Sequence, residues 1–278
     1  MNNIRIGNQT AFSARTVLEP FEFAMVNGFR TFEFFPDRGH LSAGGWEEND
    51  LDAGARQSIR QLAAEHDVTL TVHAPLTFNP LNDPEDGRLY STVAFAHDIG
   101  ATLVNLHLDM SRGAERFVEA LEPAMLATAE AGLKLAIENT VWTGPEDFNV
   151  LFAALDQYSN LPSTHVGMCF DLGHANLYAG TQNNYWRYLD MLSPMVRITH
   201  LHLHENSGDR DSHLPLFTGP SRNNATGIAG MLSRVRQHGF NGSIILEQWP
   251  SPPTLLVNAR DGLLNLLHVA PAAGASRT

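Results

Sequence analysis

The sequence predicts a single α/β domain, a closed (β/α)8 TIM barrel whose metal site lies at the carboxyl-terminal face of the strands. Three observations predict this fold class. The length of 278 residues is typical of one such barrel, short apolar runs recur with room for a helix between them, and polar residues stand at the ends of successive runs. We assign residues 1–270 to the barrel and residues 271–278 to a disordered tail. A doubly wound open sheet is the alternative architecture.

The predicted strands are eight apolar or β-branched runs, which in chain order are IRIGN (4–8), TFEFF (31–35), LTVHA (70–74), LVNLHL (103–108), LKLAIEN (133–139), VGMCFD (166–171), ITHLHLH (198–204) and SIILEQ (243–248). Helical segments lie between them. Asp50 is expected to cap a helix that runs towards His66, and Ser111 one that ends at Gly132. Strand-helix alternation of this kind predicts parallel strands, which a barrel closes on themselves.

The composition restricts the classes of partner and compartment. The chain has 18 Lys+Arg against 30 Asp+Glu, a formal net charge of -12, which opposes binding to nucleic acid and to anionic membranes. The single cysteine, Cys169, excludes an intramolecular disulfide and a Cys-rich zinc cluster. No apolar stretch approaches the roughly 20 residues of a membrane span, and the first residues lack a signal pattern. We therefore expect a cytoplasmic protein that acts on a small molecule, either as a monomer or as a homo-oligomer.

Polar residues mark the ends of six successive predicted strands, namely His73, His107, Glu138, Asp171, His202 and Glu247. The carboxyl ends of barrel strands meet at one face, where barrel enzymes place their chemistry. Each residue alone could be a hydrogen-bonded structural histidine or one half of a buried ion pair. However, Arg5 and Arg197 lie towards strand starts, so few cationic partners are near these ends. Together, the six residues predict a metal site at the mouth of the barrel.

Further candidate residues surround these strand ends. In FDLGHANLYAG, His174 follows Asp171 by three residues across a turn, and in HENSGDRDSHLPL the pair Asp211 and His213 could hold an ion from a loop. A solvated charged loop is the alternative for that pair. Glu33, in TFEFF, alternates with two phenylalanines and should face opposite to them. If it faces inward, it either hydrogen-bonds substrate or has a structural role in the floor of the barrel. No phosphate-binding loop, dinucleotide fingerprint or Gly-x-Ser-x-Gly elbow is present.

The stretch ITHLHLHEN places three histidines at alternate positions of one strand. Its two-residue period puts His200, His202 and His204 on the same face, which is too polar for an ordinary core. Periodicity alone does not distinguish a ligand among them.

In this order, the residues resemble the xylose isomerase-like barrel superfamily, which includes sugar and sugar phosphate isomerases and epimerases and the endonuclease IV-type abasic-site nucleases. The resemblance covers the chain from IRIG to ILEQ. It implies a divalent metal held by Glu138, Asp171, His202 and Glu247, and its His-x-x-acid pattern, matched by His202 and Glu205, selects His202 as the ligand. The implied metal would be Mn, Mg, Zn, Co or Fe, with one to three ions per chain.

The resemblance implies an isomerase or epimerase of a sugar, sugar phosphate or related keto compound. In such enzymes, Glu138 and Glu247 would exchange protons at a carbon next to a metal-bound carbonyl, and His174 would position a substrate oxygen. Glu33 and His204 are further candidate substrate contacts. A dehydratase or lyase of a keto-sugar or keto-inositol could use the same site. A non-catalytic binding subunit is a less favoured alternative.

Similarity to the endonuclease IV type implies a second alternative, a trinuclear phosphoesterase or abasic-site nuclease. One ion would bind His73, His107 and Glu138, the next the four ligands above, and the third His174, Asp211 and His213. The sequence departs from that type after His213, where LPLFTGPSRNNATG replaces the usual short glycine-x-glycine turn. It also lacks basic, aromatic-interleaved loops that could grip a duplex, and Arg222 is the one obvious candidate to meet a phosphate. A small polyhydroxylated substrate is therefore favoured.

Overall fold

The computed structural model describes residues 4–11, 13–38, 45–158 and 163–269. Eight parallel strands form a closed barrel in chain order, with the last strand paired to the first. They are β1 (Arg5–Gln9), β2 (Thr31–Phe34), β3 (Thr69–His73), β4 (Leu103–His107), β5 (Lys134–Glu138), β6 (Val166–Asp171), β7 (Ile198–Leu203) and β8 (Ser243–Leu246). Each strand overlaps its predicted run, and the predicted (β/α)8 barrel is confirmed. The predicted tail, residues 271–278, lies outside the described residues.

Helices connect the strands and surround the barrel. Those in the described ranges are α1 (Glu19–Val26), α2 (Ala53–Glu65), α3 (Gly87–Ile99), α4 (Ala114–Glu130), α5 (Pro145–Gln157), α6 (Leu172–Leu177), α7 (Arg187–Asp190), α8 (Thr226–Gln237) and α9 (Thr254–Val269), with 3-10 turns at Glu48–Asp50, Ser163–His165 and Pro220–Arg222. Among these helices, none combines the length and the hydrophobicity required to span a bilayer.

Both predicted helix caps are displaced along the chain. Asp52, not Asp50, caps α2, because its side chain accepts a hydrogen bond from the Ala55 amide at 2.8 Å, whereas Asp50 lies in the preceding 3-10 turn. Helix α4 begins after Gly113, not Ser111, because the Ser111 amide donates to the Asp109 side chain in a separate turn. In each case two candidate residues lie within one turn of the helix start, and the local sequence pattern does not show which of them is the cap.

Alternation along β2 divides the apolar layer from the polar interior of the barrel. Phe32 and Phe34 point outward and pack against Phe21 of α1, with ring centroids 5.2 and 5.5 Å apart. Glu33, between them, points inward and is fully buried. The outer layer thus supplies the hydrophobic contacts that hold the helices on the barrel, which leaves the strand interior free for polar side chains.

Candidate metal centre

The carboxyl ends of β3 to β8 bring the six predicted strand-end residues to one face of the barrel. The register pairs His107 with Glu138 and Asp171 with His202, so neighbouring strands present them at similar depth. Glu247 directly follows β8, whose last residue is Leu246. The fold therefore collects side chains that are far apart in sequence into one polar cluster.

Four of these residues form the centre of the cluster. Potential ligand atoms of Glu138, Asp171, His202 and Glu247 all lie within 4.8 Å of one another. The first three side chains are fully buried, and Glu247 is 7% exposed. His202 Nδ1 lies 3.2 Å from Glu138 Oε2 and 3.5 Å from Glu247 Oε1. This is the set that the family resemblance implied.

The atoms of this centre are suited to a divalent cation. Glu138 Oε1, Asp171 Oδ2, Glu247 Oε2 and His202 Nδ1 are buried and have no hydrogen-bond partner among the described residues. Leaving buried polar atoms unpaired is costly, and more so when they carry charge. Among the described residues, the carboxylates of Glu138, Asp171 and Glu247 form ion pairs with histidines only. Three carboxylates and one imidazole are a ligand set that manganese, zinc, cobalt or iron accepts.

The environment separates the acidities of the two predicted catalytic glutamates. Burial opposes ionisation of Glu138, but the positive charges of His202 and His107 outweigh it and lower its pKa well below the ordinary value. Burial raises the pKa of Glu247, and the negative charges of Asp171 and Glu138 raise it further. Together these effects exceed the lowering of the pKa by His202 and His213. The two carboxyl groups are therefore inequivalent in the protein without a bound ion.

Glu33 lies beneath this centre and contacts two histidines of β7. Its Oε2 accepts a hydrogen bond from the Thr71 hydroxyl at 2.9 Å and pairs with His200 Nε2 at 2.8 Å, while its Oε1 lies 2.8 Å from His202 Nε2. With Nε2 of His202 directed at Glu33, the nitrogen that faces Glu138 and Glu247 is Nδ1. Glu33 does not line the cavity described below, and its contacts are those of a residue that orients His202.

The predicted additional ligands surround the centre at the mouth of the barrel. His73 Nε2 lies 3.2 Å and His107 Nε2 3.6 Å from the Glu138 carboxylate, and His174 Nε2 and His213 Nε2 lie 3.4 and 3.2 Å from Asp211 Oδ2. The Nδ1–H groups of three of these histidines donate to backbone carbonyls, His73 to Ala74, His174 to Asn139 and His213 to Glu247. This arrangement fixes the ring orientation and leaves each Nε2 as the inward-facing nitrogen.

His204 lies beside the central cluster, with its Nε2 atom 3.7 Å from Glu247 Oε2. Its ring is fully buried and stacks on that of His213, with centroids 3.9 Å apart and planes inclined by 8°. His204 Nε2 lies 3.3 Å from Asp171 Oδ1. The ring passes over Gly173, where an added Cβ would lie 1.9 Å from His204 Cε1. The three histidines of β7 thus have three environments, since His200 meets Glu33, His202 meets the centre and His204 meets Asp171.

Glu205 holds the loop that carries Asp211 and His213. Its backbone pairs with that of Leu214 through two hydrogen bonds of 2.8 Å. Its buried carboxylate accepts hydrogen bonds from the Tyr185 hydroxyl, the Phe217 amide, and the Ser221 amide and hydroxyl. Glu205 therefore builds the loop instead of joining the ligands, and Arg222, which follows Ser221, is exposed and lies outside the cavity lining.

A cavity of about 500 Å³ opens above the cluster. Its floor includes His73, His107, His174, Asp211, His213 and Glu247. Its walls include Gln9, Gln248, Phe35, Leu76 and Trp249, none of which the sequence analysis identified. Gln9 and Gln248 lie at strand ends, as the predicted metal ligands do. A search of the strand ends for amide side chains, and not only for histidines and carboxylates, would therefore have found them.

A family model described as "Xylose isomerase-like TIM barrel" matches residues 21–266. Among curated proteins, MJ1311 of Methanocaldococcus jannaschii, an uncharacterised protein, is 24% identical over 210 residues, which cover 68% of this chain and 67% of that protein.

Solved structures show the same fold. A D-tagatose 3-epimerase-like protein aligns with a TM-score of 0.72 at 19% identity, covering 95% of this chain and 97% of that one. A D-psicose 3-epimerase in the presence of D-fructose gives a TM-score of 0.65 at 15% identity, with 95% and 99% covered. The TTHB071 protein of Thermus thermophilus, soaked with ZnCl2, gives 0.62 at 20% identity, with 99% and 100% covered.

Proposed function

Because this chain belongs to the xylose isomerase-like TIM barrel family, we propose that it is a divalent-metal-dependent isomerase or epimerase. Its substrate class is a sugar, sugar phosphate or related keto compound, and its reaction is proton transfer at a carbon next to a carbonyl. The observation that carries the proposal is the group of four ligands, within 4.8 Å of one another, below a cavity of about 500 Å³. The two sugar epimerase-type structures of the same fold support it.

Glu138, Asp171, His202 and Glu247 would hold the ion. When bound, a divalent ion supplies a Lewis acid that stabilises negative charge developing on an oxygen next to the reacting carbon. Glu247 lines the cavity and Glu138 lies behind it, so the Glu247 carboxylate is the more accessible group for taking a proton from carbon. Glu138 is the proposed partner that exchanges a proton on the opposite face of the reacting carbon. His174, on the cavity floor, is placed to position a substrate oxygen.

Solvent exchange at carbon tests this proposal even when the product is unidentified. The protein is stripped with a chelator, reloaded separately with Mn²⁺, Mg²⁺, Zn²⁺ or Co²⁺, and incubated with a panel of ketoses and aldoses in D2O. We expect loss of one C–H signal in the NMR spectrum with at least one ion. Glu247→Gln and Glu138→Gln should slow exchange by at least about 100-fold, the usual contribution of a general acid or base. Glu130→Gln, which changes an exposed carboxylate of α4, is the matched control. Exchange that survives in both active-site variants would refute the proton-transfer roles.

A trinuclear phosphoesterase is the second candidate, and the outer histidines favour it. His73 and His107 face the Glu138 carboxylate, while His174 and His213 face Asp211, so donors for further ions are adjacent to the centre. This candidate predicts about three ions per chain by elemental analysis and cleavage of an abasic-site DNA duplex. One ion per chain with no cleavage would exclude it.

A further inference from the structure

Two glutamines that line the cavity have buried amide atoms without a hydrogen-bond partner in the part of the chain that the structure describes. Gln9 is 8% and Gln248 7% exposed. Gln9 Oε1 and both side-chain polar atoms of Gln248 have no hydrogen-bond partner among the described residues. Such atoms are rare in a folded protein, because leaving a buried amide atom unpaired is destabilising. An unpaired amide on a cavity wall therefore indicates a ligand that completes its hydrogen bonds.

The pairing of β1 with β8 brings these amides to one side of the cavity. Asn8 is in register with Leu246, so Gln9 and Glu247 occupy the next step and Gln248 follows. The amides thus stand beside the carboxylate proposed to move the proton. A primary amide offers both a donor and an acceptor, which is the pattern that a hydroxyl group, itself donor and acceptor, can match.

The rest of this wall is uncharged and mostly apolar, with the hydroxyl groups of Thr10 and Ser13 beside it. Phe35, Leu76 and Trp249 line it, and an edge-to-face contact with Phe23, at 5.4 Å between centroids, holds the Trp249 ring. Aromatic faces of this kind suit the C–H faces of a ring or chain that also carries hydroxyl groups.

Lys and Arg side chains are missing from the cavity lining as far as the structure describes it. Of the 18 Lys and Arg residues, 17 lie in the described ranges, and the remaining one is Arg277 near the end of the chain. Residues 12 and 39–44, which lie outside the described ranges, contain neither type. A phosphate carries a charge of about -1.5 to -2 at neutral pH and is usually recognised by Arg, Lys or backbone amides. Here the phosphate would have to lie near the carboxylates of Asp211 and Glu247, on a lining that has histidines but neither Lys nor Arg.

We propose that the amides of Gln9 and Gln248 bind hydroxyl groups of a neutral, unphosphorylated polyhydroxylated substrate, and that they determine its specificity. The assignment of this ligand as the reacting substrate rests on the proposed isomerase function. The binding preference itself does not, because it can be measured without turnover.

The test compares free hexuloses and pentuloses with their phosphate monoesters by calorimetric titration of the metal-loaded protein. We expect at least one free sugar to bind at least about tenfold more tightly than its ester. Gln9→Met and Gln248→Met, which keep side-chain length but remove the amide, should each weaken that binding about tenfold, the effect of one lost hydrogen bond. Gln57→Met, at an exposed position of α2, is the matched control, and thermal melting verifies that the variants fold.

Tighter binding of the esters, absence of binding by every free sugar, or unchanged affinity in both variants would overturn this inference. Its failure is distinguishable from failure of the proposed reaction. Amide-dependent binding of a free sugar without solvent exchange at carbon refutes the isomerase and keeps the inference. Solvent exchange that depends on Glu247 and occurs with phosphate esters alone refutes the inference and keeps the isomerase.

Discussion

Glu33 illustrates how a single residue acquires a role that its sequence position does not reveal. Alternation with Phe32 and Phe34 predicts correctly that it faces inward, but two inward roles, substrate contact and barrel floor, fit the pattern equally. The structure shows contacts with His200 and His202 and complete burial. We therefore interpret Glu33 as the group that orients His202, the imidazole of the proposed metal centre. Side-chain partners across the barrel depend on strands that are far apart in sequence, which is why pattern alone could not settle the role.

Glu33→Gln should weaken metal binding, because it removes the negative charge and places an amide nitrogen where one of two carboxylate oxygens now faces His200 or His202. We expect the Kd for Mn²⁺ or Zn²⁺ to rise about 10–100-fold by calorimetry, as for other groups that orient metal-binding histidines. Glu48→Gln is the matched control, because Glu48 is also a buried glutamate but hydrogen-bonds Thr92 instead of a histidine. Equal affinities for the Glu33 variant and the wild type would contradict the orienting role.

Gly173→Ala tests the packing of His204. An alanine Cβ would lie 1.9 Å from the His204 ring, so the ring or helix α6 must move. We expect a loss of about 1–3 kcal/mol in the free energy of unfolding, the usual cost of overpacking, measured by urea denaturation. Gly87→Ala, where the new methyl meets nothing within 4 Å, should match the wild type or exceed it in stability. An unaffected Gly173 variant would show that His204 is free to relocate.

A strand, helix boundary or loop can be predicted from the sequence when the residues that determine it are close together in the chain. The eight strands could be predicted because each carries its own run of β-branched and apolar residues, and the position of the six strand-end residues at one face of the barrel followed from them. The caps of α2 and α4 could not, since Asp50 and Asp52, or Ser111 and Gly113, are alternatives within one turn. The course of the loop after β7 depends on Glu205, whose partners lie 9 to 20 residues away, at Leu214, Phe217, Ser221 and Tyr185.

Glu205→Gln should loosen this loop. The carboxylate accepts from Tyr185, Phe217 and Ser221, and an amide nitrogen in place of either oxygen would face a donor. We expect about 1–3 kcal/mol of destabilisation and faster proteolysis within residues 206–221, followed by mass spectrometry. Glu122→Gln, at an exposed position of α4, provides the comparison. A loop that resists protease as the wild type does would contradict an anchoring role for Glu205.

At the scale of the whole molecule, the barrel places several carboxylates and histidines in one buried cluster, and a bound ion should contribute to global stability. At 100 times its Kd, a ligand that binds only the folded state adds about 2.7 kcal/mol. We expect Tm to rise by about 5–10 °C between chelator-treated and metal-loaded protein in a thermal melt. Glu247→Gln should reduce this rise, whereas Glu130→Gln should preserve it. An identical Tm with chelator and with Mn²⁺, Mg²⁺, Zn²⁺ and Co²⁺ would count against a metal centre.

Asp171 connects that cluster to the polypeptide backbone. Its Oδ1 accepts a hydrogen bond of 2.6 Å from the His174 amide and so caps α6, while its Oδ2 is one of the unpaired atoms at the centre. Any charge placed near Oδ2 must polarise the same carboxyl group and alter the electron density that the amide proton experiences. The ¹⁵N–¹H resonance of His174 is thus a natural reporter of occupancy, readable in a two-dimensional spectrum without a substrate or an attached label.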